Sequence, residues 1–176
     1  MTGWRVGYGV MPKQLAQHVA RLVTNSVSCT ATFTQHAAMK AILGSQESVT
    51  AMVEEFRKNR DLIVAGLNGI DGFFCHTPTG AFYAYPNVTR ACRRVGFKNS
   101  KELQQFLLHK AGVAVLGQQC FGTRTKDDDQ EYIRLSYVSS EQDIKEALRR
   151  IESALGDARL IGEFLDEKQA KGVMAL

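Results

Sequence analysis

The chain has 176 residues, 44% of them hydrophobic and 23% charged, an ordinary globular composition with enough apolar mass for one sizeable core. Fifteen glycines against three prolines exclude a linker-like chain, and a net charge of +4 argues against nucleic acid as a partner. No apolar run approaches the length of a membrane helix.

The opening MTGWRVGYGV holds Arg5 and three glycines, which is not the pattern of a secretory leader. Cys29, Cys75, Cys92 and Cys120 are dispersed without metal-ligand spacing, so they are expected to be reduced thiols of a cytoplasmic protein. Residues 4–10 read as a short glycine-cut strand ended by Pro12. Leu15, Val19 and Leu22 then recur at helical spacing, predicting a helix from Pro12 to Val23, and Asn25 to Thr32 reads as a loop. A second helix is expected from Phe33 to Leu43, with Gly44 in the left-handed stop position.

Ser45 or Ser48 can cap the longest helix, whose stripe runs through Val49, Met52, Val53, Phe56, Ile63, Leu67 and Ile70. Asn68-Gly69 and Asp71-Gly72 end it. Phe73, Phe74 and the AFYAY segment 81–85 are β-prone, with Thr77-Pro78-Thr79-Gly80 as a turn. A helix capped by Asn99 or Ser100 follows, then a strand at Val113–Leu116 and a glycine-bounded loop to Gly122. Thr123 to Gln130 reads as a solvated polar loop with Asp127, Asp128 and Asp129. Along Tyr132–Val138 alternation turns Ile133, Leu135 and Tyr137 to the core, and Arg134 and Ser136 away from it. Ser140 with Asp143 caps a helix striped by Ile144, Leu148, Ile151 and Leu155, and the tail from Asp157 can add one more. The expected domain is thus an α+β unit preceded by a shorter piece of something larger.

Three places depart from what packing alone would choose. Arg5 lies between glycines in TGWRVG, where small neighbours let an anion approach a guanidinium that makes paired hydrogen bonds. Arg134 stands mid-strand, so it either pairs with a local carboxylate, lies on a solvated edge, or forms a fork for a carboxylate ligand. The loop Gly117–Gly122 can line a site, although Cys120 has no histidine near it in sequence to make it a nucleophile.

MTGWRVGY resembles the segment that follows the cofactor-bearing lysine in class I aminotransferases of the aspartate aminotransferase type. SCTATFTQHAAMKAIL, PTGAFYAYPNV, GVAVLGQQCFG and EYIRLSYVSSEQDIKEALRRI resemble further segments of that family, in the family's order, over about residues 1–155. Cys29-Thr30 stands where the family has Asn-Pro, and Gly117-Gln118 where it has Pro-Gly.

The resemblance implies the carboxy-terminal part of a fold type I, α/β enzyme dependent on pyridoxal 5′-phosphate. Residues 1–44 would be a remnant of the large domain, 45–156 the small α+β domain with its long connecting helix, and 157–176 a tail. Arg5 would bind the cofactor phosphate and Arg134 the substrate α-carboxylate, with amino acids and 2-oxo acids as substrates and a homodimer as the assembly. The lysine itself would stand before Met1, so no catalytic residue is assigned here and the polypeptide alone is expected to be inactive. Other readings are an effector-sensing domain of a transcriptional regulator, a non-catalytic truncated product, or a lyase or synthase of the same fold.

Overall fold

Pro12 enters helix α1 (Lys13–Ser26) with φ −56° and offers its carbonyl to the amide of Ala16 at 3.0 Å. The helix runs beyond the expected end at Val23, and the side chains of Thr24, Asn25 and Ser26 turn back to donate to the carbonyls of Ala20, Arg21 and Leu22 at 2.7–2.8 Å. The computed structural model describes residues 1–123 and 128–173 and divides the chain into two compact units, Met1–Ala51 and Met52–Leu176.

In the first unit the expected strand at 4–10 is not present. Thr2–Trp4 form a single 3-10 turn, and no described strand is available to pair with the segment that follows. Helix α2 (Thr32–Leu43) ends at Gly44, whose φ of −83° corrects the left-handed expectation. Close approach demands the glycine: its amide donates to the Lys40 carbonyl at 2.9 Å, and a Cβ would stand 2.8 Å from that oxygen. Among the described residues of this unit only Thr34 is buried, while Leu22, Phe33, Ile42 and Leu43 are exposed.

Helix α3 (Glu47–Gly69) is capped by Ser45, which accepts from the Glu47 amide at 3.3 Å. Its stripe is buried only towards its carboxyl end. Ile63, Val64, Leu67 and the following Ile70 enter the core, Phe56 rests against Phe82, and Val49, Met52 and Val53 stay exposed. Beyond α3, Asn68 holds Cys75 by accepting from its amide at 2.8 Å and donating to its carbonyl at 3.1 Å. Gly72, at φ +85°, lets the chain pass under Ala91.

Strand β1 (Tyr83–Ala84), strand β2 (Leu116–Gly117) and strand β3 (Ile133–Ser136) form one antiparallel sheet in the order β1-β3-β2. Strands β1 and β3 are shorter than the β-prone segments, because pairing lasts only where backbones overlap, and β2 corrects the strand expected at Val113–Leu116: it keeps Leu116 alone and adds Gly117. Helix α4 (Thr89–Val95) was not evident in the sequence, although Asn87 accepts from the Thr89 amide and Gly96 closes it at φ +80°. Helix α5 (Ser100–Phe106) is capped by Asn99, not Ser100, and continues into a wider turn over Leu107–Ala111.

Helix α6 (Glu141–Gly156) begins with the expected reciprocal pair, Ser140 accepting from the Asp143 amide and donating to its carboxylate. The tail forms helix α7 (Ala158–Val173), and Phe164 closes an aromatic cluster with Phe97 and Phe106 at centroid distances of 5.1–5.5 Å. Side chains of α3, α5, β3, α6 and α7 thus share one core, with Leu67, Leu103, Phe106, Ile133 and Ile151 wholly buried. Each such aliphatic or aromatic burial contributes about 1.5–3 kcal/mol.

Asp127 lies outside the described residues. Its neighbours are not merely solvated: Asp128 accepts from Gln118 and from the Gln130 amide, and Asp129 pairs with Arg93 at 2.8 Å.

Candidate functional site

Arg134 lies on β3, the central strand, with Leu116 of β2 as its direct partner. The pairings of Ala84 with Leu135 and of Asn87 with Tyr132 set Tyr85 opposite it on the other side. The alternation read from the sequence holds: Ile133, Leu135 and Tyr137 are buried, while Arg134 is half-buried and Ser136 exposed on the opposite face. That face also carries Tyr83, Tyr85 and Tyr132.

Two of the readings left open for this arginine find no support among the described residues. It is on no sheet edge, and among the described residues no carboxylate pairs with it. Its guanidinium carbon instead lies 4.2 Å from the centre of the Tyr83 ring and 4.5 Å from that of Phe121. Tyr85 meets Phe121 edge-on at 5.7 Å and stacks on Tyr132 at 5.1 Å with the planes 5° apart. The result is an aromatic-lined surface with a cation that no described carboxylate pairs, an arrangement suited to a carboxylate ligand.

The loop before Phe121 is held from α5. The Gly117 amide donates to Gln104 Oε1 at 3.2 Å, the Gln118 amide to Ser100 Oγ at 3.3 Å, and Gln118–Cys120 form a 3-10 turn. Cys120 is exposed at the end of that turn. The sequence reading missed Tyr83 and Phe121 as neighbours of Arg134. Tyr83 and Tyr85 have the same parity in AFYAY, which was a usable signal; Phe121 offered none.

Arg5 belongs to the first unit and Arg134 to the second, and each is described within its own unit. Arg5 is exposed at φ +55°, directly after the 3-10 turn, and no described residue pairs with it. Side chains added at Gly3 or Gly7 would meet nothing within 4 Å, so the backbone on either side of Arg5 is open. An exposed guanidinium can make paired hydrogen bonds to an oxyanion. Among the described residues there is no cluster of metal-ligating side chains, and no helix is long and apolar enough to cross a membrane.

Comparison with known proteins identifies the family. The chain is 37% identical over 161 residues to the aspartate aminotransferase of Rhizobium meliloti (strain 1021), covering 88% of this chain and 37% of that protein. The crystal structure of the aspartate aminotransferase from Rhizobium meliloti superimposes with a TM-score of 0.73 at 35% identity, covering 89% of this chain and 39% of that one. An aromatic aminotransferase from Pyrococcus horikoshii OT3 gives 0.75 at 31% identity, covering 91% and 41%. The chain therefore spans well under half the length of the relatives it matches, and its fold is that of the corresponding portion of fold type I aminotransferases. A model of the aminotransferase class I and II family matches residues 1–151, and the chain belongs to that family.

Proposed function

We propose that these residues form the carboxy-terminal portion of a pyridoxal-phosphate-dependent aminotransferase, which transfers an amino group between an amino acid and a 2-oxo acid. The observation that carries the reading is Arg134: a half-buried guanidinium on a central strand, without a described carboxylate partner, on the aromatic-lined face of the sheet opposite the core. Arg134 grips the α-carboxylate of the substrate through two parallel N–H donors and so fixes the direction of the Cα–H bond. Arg5 holds the cofactor phosphate, which the open space beside Gly3 and Gly7 supports. Pyridoxal phosphate, when bound, supplies the electron sink for charge developing at Cα.

Residues 1–44 are assigned to the large domain, 45–156 to the small domain, and the tail to α7 packed on the small domain's core. The exposed apolar side chains of α1 and α2 support a homodimer or further chain covering the first unit. Four free cysteines support the cytoplasm as the compartment.

The test is Arg134→Ala in the complete enzyme. Losing one partner of a charge-assisted pair costs about 2–5 kcal/mol, so kcat/KM falls roughly 30- to 5000-fold. Arg134→Lys recovers part of the loss, because a point charge cannot reproduce the fork. Near-normal activity of Arg134→Ala, or loss mainly of cofactor, would show the residue to be structural.

A further inference from the structure

We infer that Tyr83 and Phe121 are positioning residues for the substrate carboxylate, acting through Arg134; the inference rests on the carboxylate-binding reading of that arginine. A guanidinium taken partly out of water needs compensation, and the usual partner is a carboxylate. A protein carboxylate here would occupy the same N–H donors that the substrate must use. Aromatic rings compensate the charge differently. Their negative faces attract the cation through its flat side, and the N–H bonds point outward in the guanidinium plane. With Cζ at 4.2 Å and 4.5 Å from the two ring centres, Arg134 is stabilised and oriented while its donor edges stay free.

The rings are themselves fixed. Tyr83 is set by the pairing of β1 with β3 opposite Ser136, and its ring lies 4.4 Å from that of Phe82. Phe121 is held edge-on by Tyr85, which stacks on Tyr132. Arg134 therefore meets its ligand already ordered, and less rotamer freedom is lost on binding.

The experiment measures steady-state kinetics of the complete enzyme, with propionate as a non-reacting monocarboxylate competitor. Tyr83→Leu and Phe121→Leu each raise KM and the propionate Ki roughly 5- to 30-fold, the weight of one ring–cation contact. The change in kcat is smaller, and the affinity for pyridoxal phosphate does not follow. Tyr83→Phe, which keeps the ring, recovers most of the loss. In an Arg134→Ala background Tyr83→Leu adds nothing, because the contact it removes is already gone. If Arg134→Ala raises KM and Ki but both leucine variants leave them within twofold, the positioning role is wrong and the carboxylate reading stands. Equal losses with and without Arg134 would mean that the rings act by packing, which also overturns the inference. If Arg134→Ala leaves KM and Ki unchanged, the carboxylate reading itself fails.

Discussion

Glu131 accepts a hydrogen bond of 2.6 Å from the backbone amide of Ser100, and both residues are buried. The contact brings the residue at the start of the β3 segment to the first turn of α5, where amides without helical partners need acceptors. Hydrogen bonds to charged groups contribute about 1.5–3 kcal/mol, and the orphaned amide adds to the loss. Glu131→Ala is thus expected to lower stability by about 2–4 kcal/mol in denaturant unfolding. Glu131→Gln, which still presents an acceptor oxygen, should lose less than half of that. Equal losses for the two variants would contradict the assignment.

Gly72 gives a sharper case. An alanine there must hold φ near +85° and place its Cβ 2.5 Å from the backbone nitrogen of Ala91. Left-handed strain of about 1–2 kcal/mol and overpacking of about 1–3 kcal/mol both act against it. Gly72→Ala should destabilise by roughly 2–5 kcal/mol, whereas Gly162→Ala, where an added Cβ meets nothing within 4 Å, should not destabilise. Chemical denaturation of the two variants side by side checks the difference.

Cys92 links stability to alkaline pH. Burial, followed by the nearby Glu131 and Glu102 charges, pushes its thiol from 9.0 up to about 12. The folded state therefore keeps a proton that the unfolded state releases. The contribution is fully present below pH 9, declines above it, and is exhausted by about pH 12, at most about 4 kcal/mol over the window. Cys92→Ala should flatten the fall of stability between these limits relative to the parent. An unchanged slope would exclude Cys92 as a source. A thiol reagent at neutral pH should likewise modify the exposed Cys29 and Cys120 quickly, and the buried Cys75 and Cys92 only on unfolding.

Phe164 tests whether α7 belongs to the folded unit. Its ring lies 5.4 Å and 5.5 Å from those of Phe97 and Phe106, and it is 4% exposed. Phe164→Ala should cost about 3–5 kcal/mol. Lys168→Ala, which removes an ion pair to Glu102 and a ring contact at 5.7 Å, should cost about 1 kcal/mol or less. Comparable small effects from both would mean that α7 is only loosely attached.

The sequence was most legible where period and chemistry coincide. Alternation placed Ile133, Leu135 and Tyr137 inside and Arg134 outside, and Ser140 with Asp143 announced the start of α6. It was least legible where a partner decides the conformation. Residues 4–10 carry β-prone side chains, yet no described neighbour pairs with them. The carboxyl end of α1 looks like a loop by composition, yet Thr24, Asn25 and Ser26 are helical and fold their side chains back onto the carbonyls four residues before them. Gly44 was selected for proximity to the Lys40 carbonyl, which resembles a left-handed stop in sequence but not in geometry. The approach of Phe121 to Arg134 depends on a loop tied by Gln104 and Ser100, a long-range arrangement with no local signature.

Strand β3 is flanked on both sides, and this determines how the Arg134 site responds to thermal fluctuation. Each of its amides bonds to one neighbour only, and those of Ile133–Ser136 should exchange with solvent deuterium more slowly than amides at the chain ends. Arg134 is thus mounted on a strand held from both sides. Its geometry should persist on warming until the second unit melts, while fraying at the chain ends passes it by.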